Sequence, residues 1–279
     1  MSNNSSLSKR AALRQQQELE EKSKKTKRVV GAGLGLLALT AVVVLAIVIF
    51  QAISAPTNKP VATDQLTPPN ATEKHGVLLF GKEPTADKPH LIVYQDYQCP
   101  WCAAYETAFG TPVEELVESG RITAEYRTTS FLDGNAEDGP SRRAAVAAAA
   151  ADEVGKFAEY QRIIFANHKE SSAAYPARQL RDDFAEEAGI TGDALTTFQD
   201  LFDTRAFNDF AQGAYDTWNS DPVTLSEDGK RSTPVYAVSG ERLPGLIDGS
   251  GQPVMDPTAD NFYQVVIQAW EAGGKQIEK

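Results

Sequence analysis

Two cysteines spaced two residues apart, Cys99-Pro100-Trp101-Cys102, follow closely on the apolar run Leu91-Ile92-Val93-Tyr94 and open Ala103-Ala104-Tyr105-Glu106, which reads as a helix. They are the only two cysteines of the chain. This fixes a strand-to-helix junction in the middle of whatever the chain folds into. A pair at such a junction can close a disulfide across one helical turn, and its first sulfur then sits at the positive end of the helix, where a thiolate is stabilised. The placement suits reversible thiol–disulfide chemistry better than structural stapling.

The context of that junction comes from three segments that precede it. Residues 1–28 form a polar tail with eight basic and three acidic side chains, a net +5. Residues 29–50 carry no charged side chain; as a helix rising ~1.5 Å per residue they would span ~33 Å, enough for a hydrocarbon core of ~30 Å. With a net charge of −11 for the whole chain, the remainder carries −16. The basic flank predicts a single-pass helix with a cytoplasmic N-terminus and an exported C-terminal part, at the cell membrane. A cleaved signal peptide is the rival reading, since Ala52-Ile53-Ser54 resembles a cleavage site, although the apolar run exceeds the usual ~7–15 residues. Residues 51–74, with Pro56, Pro60, Pro68 and Pro69, read as a semi-extended linker, and 75–279 as one globular domain. Asn70-Ala71-Thr72 matches a glycosylation sequon of low specificity.

Export allows the cysteine pair to persist as a disulfide. Two cysteines exclude a four-cysteine metal site, and His75, His90 and His168 are too scattered to complete one with the pair, so no metal or cofactor is expected; zinc shared between two chains is the remaining metal reading. The acidic domain argues against nucleic acid.

Within the domain the pattern reads as strands at Gly76–Phe80, Leu91–Gln95 and Arg121–Thr128, the second apolar enough to be central. A helix runs from the cysteine pair to about Ser119, with an interruption expected near Gly110-Thr111-Pro112. Ser141 is expected to cap an alanine-rich helix running towards His168, and helices continue over Pro176–Ala188 and Asp193–Ser220 with Phe184, Phe198, Phe207 and Trp218 among the apolar anchors. A hairpin around Ser239-Gly240 and a last helix bearing Phe262, Val265, Val266, Ala269 and Trp270 on one face complete the domain. The order β, β, α, β, helices, β, β, α predicts an α/β fold with a mixed central sheet.

This order resembles the thioredoxin fold with an inserted helical domain (about 141–220), in the form of the membrane-anchored bacterial DsbA-like thiol–disulfide oxidoreductases. Three pieces carry the resemblance: Val93-Tyr94-Gln95-Asp96-Tyr97-Gln98-Cys99-Pro100-Trp101-Cys102, the helical block, and Ser232-Thr233-Pro234-Val235. It implies an enzyme whose Cys99–Cys102 disulfide oxidises exported cysteine-containing proteins through a mixed disulfide. It also implies a cis Thr233–Pro234 bond beside the disulfide, with Pro100, Trp101, Thr233 and Pro234 forming the substrate cleft. Reoxidation then falls to a membrane partner, DsbB-like or VKOR-like, that passes electrons to quinone. Cys99 is expected at the exposed helix terminus and Cys102 to be less exposed. The chain departs from the family pattern at Val93, where a buried acid is frequent, at Trp101, where a histidine often stands, and at Ser232, where glycine is usual. Asp96 and Glu106 read as solvated loop and helix positions. The alternatives are a reductase or isomerase in the same compartment, and a membrane-tethered binding or chaperone module with a structural disulfide.

Overall fold

The computed structural model describes residues 59–134, 136, 138–168, 175–226 and 228–274. The expected membrane helix at 29–50, the basic tail and residues 51–58 lie outside them. Among the described residues no helix is long and apolar enough to cross a membrane.

Five strands, β1 (Val77–Leu78), β2 (His90–Gln95), β3 (Thr123–Thr128), β4 (Val235–Val238) and β5 (Glu241–Arg242), form one sheet in the order β1-β3-β2-β4-β5. β2 and β3 are parallel, paired from His90↔Thr123 to Gln95↔Thr128, and the other pairs are antiparallel. A parallel pair needs a crossover, and α1 (Pro100–Glu118) supplies it. β2 is central, as its run of apolar residues predicts, and all six of its residues are buried. The first strand is shorter than expected: Phe80 takes a φ of 55° and the chain leaves the sheet in a tight turn at Leu79–Gly81.

α1 is continuous, so the interruption expected at Pro112 is absent. Pro112 lies inside it between buried Phe109, Val113 and Leu116, and the burial of that face holds the helix through the missing N–H. Four longer helices follow in the insertion: α2 (Pro140–Glu153), α3 (Phe157–Ala166), α5 (Gly192–Asp203) and α6 (Asn208–Ser220), with the short α4 (Phe184–Glu187) before α5. The alanine-rich segment is therefore two helices, broken at Gly155, whose φ of +69° suits a residue without a side chain. The cap is Gly139, not Ser141; Ser141 lies in the first turn and turns its hydroxyl to Asp96. The closing helix, α7 (Ala259–Ala272), buries Phe262, Val266 and Ala269.

Leu91 and Val93 on one face of β2 pack with Phe109 and Val113 of α1 and Phe262 of α7 in the main core, while Ile92 and Tyr94 on the other face meet Trp218 of α6 together with Val235 and Ala237. β3 does not alternate buried and exposed positions: Glu125 and Arg127 are as buried as Ala124 and Tyr126. Residues 59–74, read as linker from composition, lie against the helical insertion, with Ala62 N–H and Leu66 N–H donating to the carbonyls of Thr204 and Ala206. The Asn70 amide, the sequon nitrogen, donates to buried Asp152 at 2.8 Å.

Candidate active site

The C-terminal end of β2 runs through Asp96-Tyr97-Gln98 into α1. Cys99 is the N-cap residue, with φ −76° and ψ 118°, and Pro100, the first helical residue, needs no N–H partner there. Cys102 follows one turn along. Both are thiols, and both are buried. The expectation of an exposed Cys99 therefore fails: the Thr233–Pro234 segment lies against it, with the Cys99 sulfur 3.3 Å from the Thr233 carbonyl oxygen, to which it donates when protonated. The Thr233–Pro234 bond is cis, as expected. Trp218 Nε1–H donates to the carbonyl of Ser232 at 3.3 Å and holds that segment from α6. Trp101 is 42% exposed beside the buried sulfurs, and Pro100 is exposed as well.

The two sulfurs differ sharply. A hydrogen bond from the Cys102 thiol, helped by the Thr233 side chain and the N–H groups of Cys102 and Trp101, lowers Cys99 to about 6 against the opposing effect of burial. Burial, with the neighbouring Cys99 sulfur, pushes Cys102 well above the ordinary thiol range; the Asp96 N–H, 3.5 Å from its sulfur, acts the other way. One sulfur is thus a stabilised thiolate near neutral pH and the other holds its proton.

The loop that presents them is clamped by the helical insertion. Tyr175 Oη–H donates to the Tyr97 carbonyl at 2.7 Å, and His168 Nε2 lies 3.0 Å from the Gln98 carbonyl. The Gln98 amide donates to Asp133 and Ser141. Asp96 is fully buried; its carboxylate accepts from Gln98 N–H (2.9 Å), Leu132 N–H (3.1 Å) and the Ser141 hydroxyl (2.5 Å). Burial nevertheless raises it to about 7. Glu106 is also buried and raised to about 7, by desolvation and by Glu114, against Arg162 and Gln161. Both acids read as solvent-facing from the sequence, and both lie in the interior. Glu106 was legible in principle: Cys102, Glu106 and Gly110 share one helical face at i, i+4 and i+8. A Cβ at Gly110 would come within 2.7 Å of Glu106 Oε1, so the glycine makes the room. Val93, where the family acid often stands, is buried among apolar groups.

Beside Cys99 opens a cleft of about 260 Å³. Trp101 and Tyr105 of α1, Thr233 and Pro234 form its near walls, so three of the expected cleft residues meet there. The far wall is Ile247-Asp248-Gly249, which no sequence signal marked.

A family model described as Thioredoxin matches residues 78–247. Among solved structures, the fold is similar to that of the MdbA protein, a thiol-disulfide oxidoreductase from Corynebacterium diphtheriae (TM-score 0.52, 19% identity, covering 75% of this chain and 98% of that one). It is similar also to the MdbA protein from Actinomyces oris (0.56, 15%, 77% and 99%) and to oxidised BdbD from Bacillus subtilis (0.51, 15%, 74% and 99%). At these identities the likeness is one of fold. None of the curated proteins matches the sequence.

Proposed function

The chain belongs to the thioredoxin family, and from that premise we propose that it is an extracytoplasmic thiol–disulfide oxidoreductase that forms disulfides in exported proteins. The observation that carries this reading is the inequality of the two sulfurs: Cys99 lowered to about 6 at a helix N-terminus, Cys102 raised and buried one turn away. A thiolate stabilised in the reduced protein makes the disulfide the more readily reduced, and hence the more oxidising.

The starting form is the Cys99–Cys102 disulfide. A substrate thiolate attacks Cys99 Sγ; the bond between the two enzyme sulfurs breaks, a substrate–Cys99 bond forms, and Cys102 leaves and takes up a proton. A second substrate thiolate then attacks the substrate sulfur of this mixed disulfide. Cys99 leaves as a thiolate, a good leaving group at its lowered pKa. Two substrate thiols lose two electrons; the enzyme holds them as one thiolate and one thiol, and one proton is released. Reoxidation falls to a membrane partner of the DsbB-like or VKOR-like kind, and a domain tethered by residues 29–50 would meet that partner at raised effective concentration.

The reduction potential of the Cys99–Cys102 pair, measured against glutathione, tests the direction. An oxidase is expected above about −180 mV; a value near −270 mV favours the reductase reading. Two substitutions test the roles. Cys99→Ser should abolish exchange in both directions, whereas Cys102→Ser should leave Cys99 able to form mixed disulfides that accumulate. Retained turnover in both single variants would overturn these roles, and a wild type whose disulfide resists exchange would return the chain to the binding-module reading.

A further inference from the structure

We propose that the cleft beside Cys99 selects extended cysteine-bearing segments that carry a lysine or arginine a few residues from the cysteine, with Asp248 receiving the cation. The proposal rests on the reading of Cys99–Cys102 as a protein oxidant and adds the class of segment it prefers. Trp101, Tyr105, Thr233, Pro234, Ile247 and Gly249 line the cleft with Asp248, which is the single charged residue among them. An open groove whose wall carries one carboxylate discriminates between chains by charge more than by shape.

Asp248 is held there by a built loop. Leu243 and Leu246 anchor it in the main core, and Leu246 N–H donates to Tyr105 Oη at 2.8 Å, tying the far wall of the cleft to α1. Across the turn, Asp248 N–H donates to the Gln252 carbonyl and Val254 N–H to that of Leu246. Asp248 Oδ1 accepts from Ser250 N–H (2.8 Å), Ser250 Oγ–H (2.7 Å) and Gln252 N–H (3.0 Å). These bonds hold its carboxyl below the usual carboxylate range, so it is ionised at neutral pH. All three fall on Oδ1, and among the described residues Oδ2 has no partner. One oxygen fixes the loop and the other is left to meet a ligand. Cys99 is bonded to Thr233, a residue of the near wall, which places the selected cation close to the reacting cysteine in sequence.

The test uses the full chain in detergent, converted to its disulfide form, in single-turnover reactions with two synthetic dithiol peptides. The peptides are identical except for arginine or glutamate two residues from the first cysteine. Dithiothreitol is the third substrate. The reactions run at 0.15 M salt, where a Debye length of ~8 Å screens the general acidity of the domain but not a close pair. The arginine peptide is expected to react about two- to fivefold faster, the range of an exposed ion pair, and the ratio to fall at 1 M salt. Asp248→Asn keeps an Oδ1 acceptor for the loop and removes the charge; it should bring the ratio close to one. Equal rates for the two peptides in the wild type, with dithiothreitol oxidised, would overturn the charge selection alone, as would a preference that survives in Asp248→Asn. Failure to oxidise the peptides and dithiothreitol alike would overturn the oxidoreductase reading and this proposal with it.

Discussion

Carboxylates are buried on both sides of the central sheet, and the two sides treat them in opposite ways. Under α1, Glu106 lies in the interior, its Oε2 lacks a hydrogen-bond partner among the described residues, and desolvation raises it to about 7. On β3, Glu125 is as deeply placed, yet it accepts from Arg127 Nε–H at 2.6 Å, faces His90 Nε2 at 3.2 Å and accepts from the Thr72 hydroxyl at 2.6 Å. It is held at about 2: burial pushes it up, and the hydrogen bonds of His90 and Arg127 with the Arg127 charge outweigh burial. Arg127 in turn donates to Tyr94 Oη at 2.6 Å, and Tyr94 Oη–H donates to Asp221 at 2.5 Å. Burial alone therefore does not decide the state of an acid; a guanidinium at hydrogen-bond distance does. The side with paired charges is structural reinforcement of β2 and β3. The side with unpaired acids is the one that carries the dithiol.

The largest expected effect breaks the paired side. Arg127→Met leaves Glu125 buried without its principal partner, and removing one member of such a pair costs about 3–5 kcal/mol. Urea unfolding at pH 7 measures this. With Arg127 gone, the Glu125 carboxyl should rise from about 2, so the loss of stability on acidification below its ordinary 4.5 should shrink. The sign follows from the depressed value: the contribution of Glu125 is present above its ordinary 4.5 and lost as pH falls towards 2. A variant within 1 kcal/mol of the wild type would show that the ion network contributes little.

The unpaired side carries the opposite sign. Glu106 is raised from 4.5 to about 7, so the folded protein keeps a proton that the unfolded chain has released, and stability declines as pH rises from about 4 to 7. That interval corresponds to ~3 kcal/mol as an upper bound. Glu106→Gln should match the wild type at pH 4 and exceed it at pH 8 by up to this amount, flattening the decline. Asp96, raised from 3.8 to about 7, contributes the same slope and should remain visible in the variant. A wild-type stability that rises between pH 4 and 7 would place Glu106 in contact with a cation instead.

The same contrast explains what could be read from residue order. The dithiol junction, the central position of β2 and the Thr233–Pro234 segment were legible because apolar patterning and short motifs mark them. The second side of the sheet was not. Thr123, Glu125 and Arg127 alternate with Ala124 and Tyr126 just as a solvent-facing row would, and only the arrival of Thr72, Tyr94 and Asp221 from distant parts of the chain makes them interior. Asp96 reads as solvated for a similar reason: its partners Leu132 and Ser141 lie 36 and 45 residues away. Nothing in residue order marks Asp248, because the far wall of the cleft is a loop without periodicity.

The smallest expected effect sharpens the paired side. Tyr94→Phe removes one hydroxyl that both accepts from Arg127 and donates to Asp221. Hydrogen bonds to charged groups contribute ~1.5–3 kcal/mol each. The loss should nevertheless come to only about 1–2 kcal/mol, because Arg127 Nη1 already lies 3.5 Å from Asp221 Oδ2 and the two charges can close on each other. The phenol is raised above its ordinary range, mainly by burial, so it does not titrate near neutrality, and the cost should be the same at pH 5 and pH 8. Glu125 keeps both of its bonds from Arg127 in this variant, which predicts an unchanged acid limb. If Tyr94→Phe shifted that limb as Arg127→Met is expected to, the hydroxyl would be holding the guanidinium in place, and Glu125 and Asp221 would belong to a single cooperative unit rather than to two pairs that share one arginine.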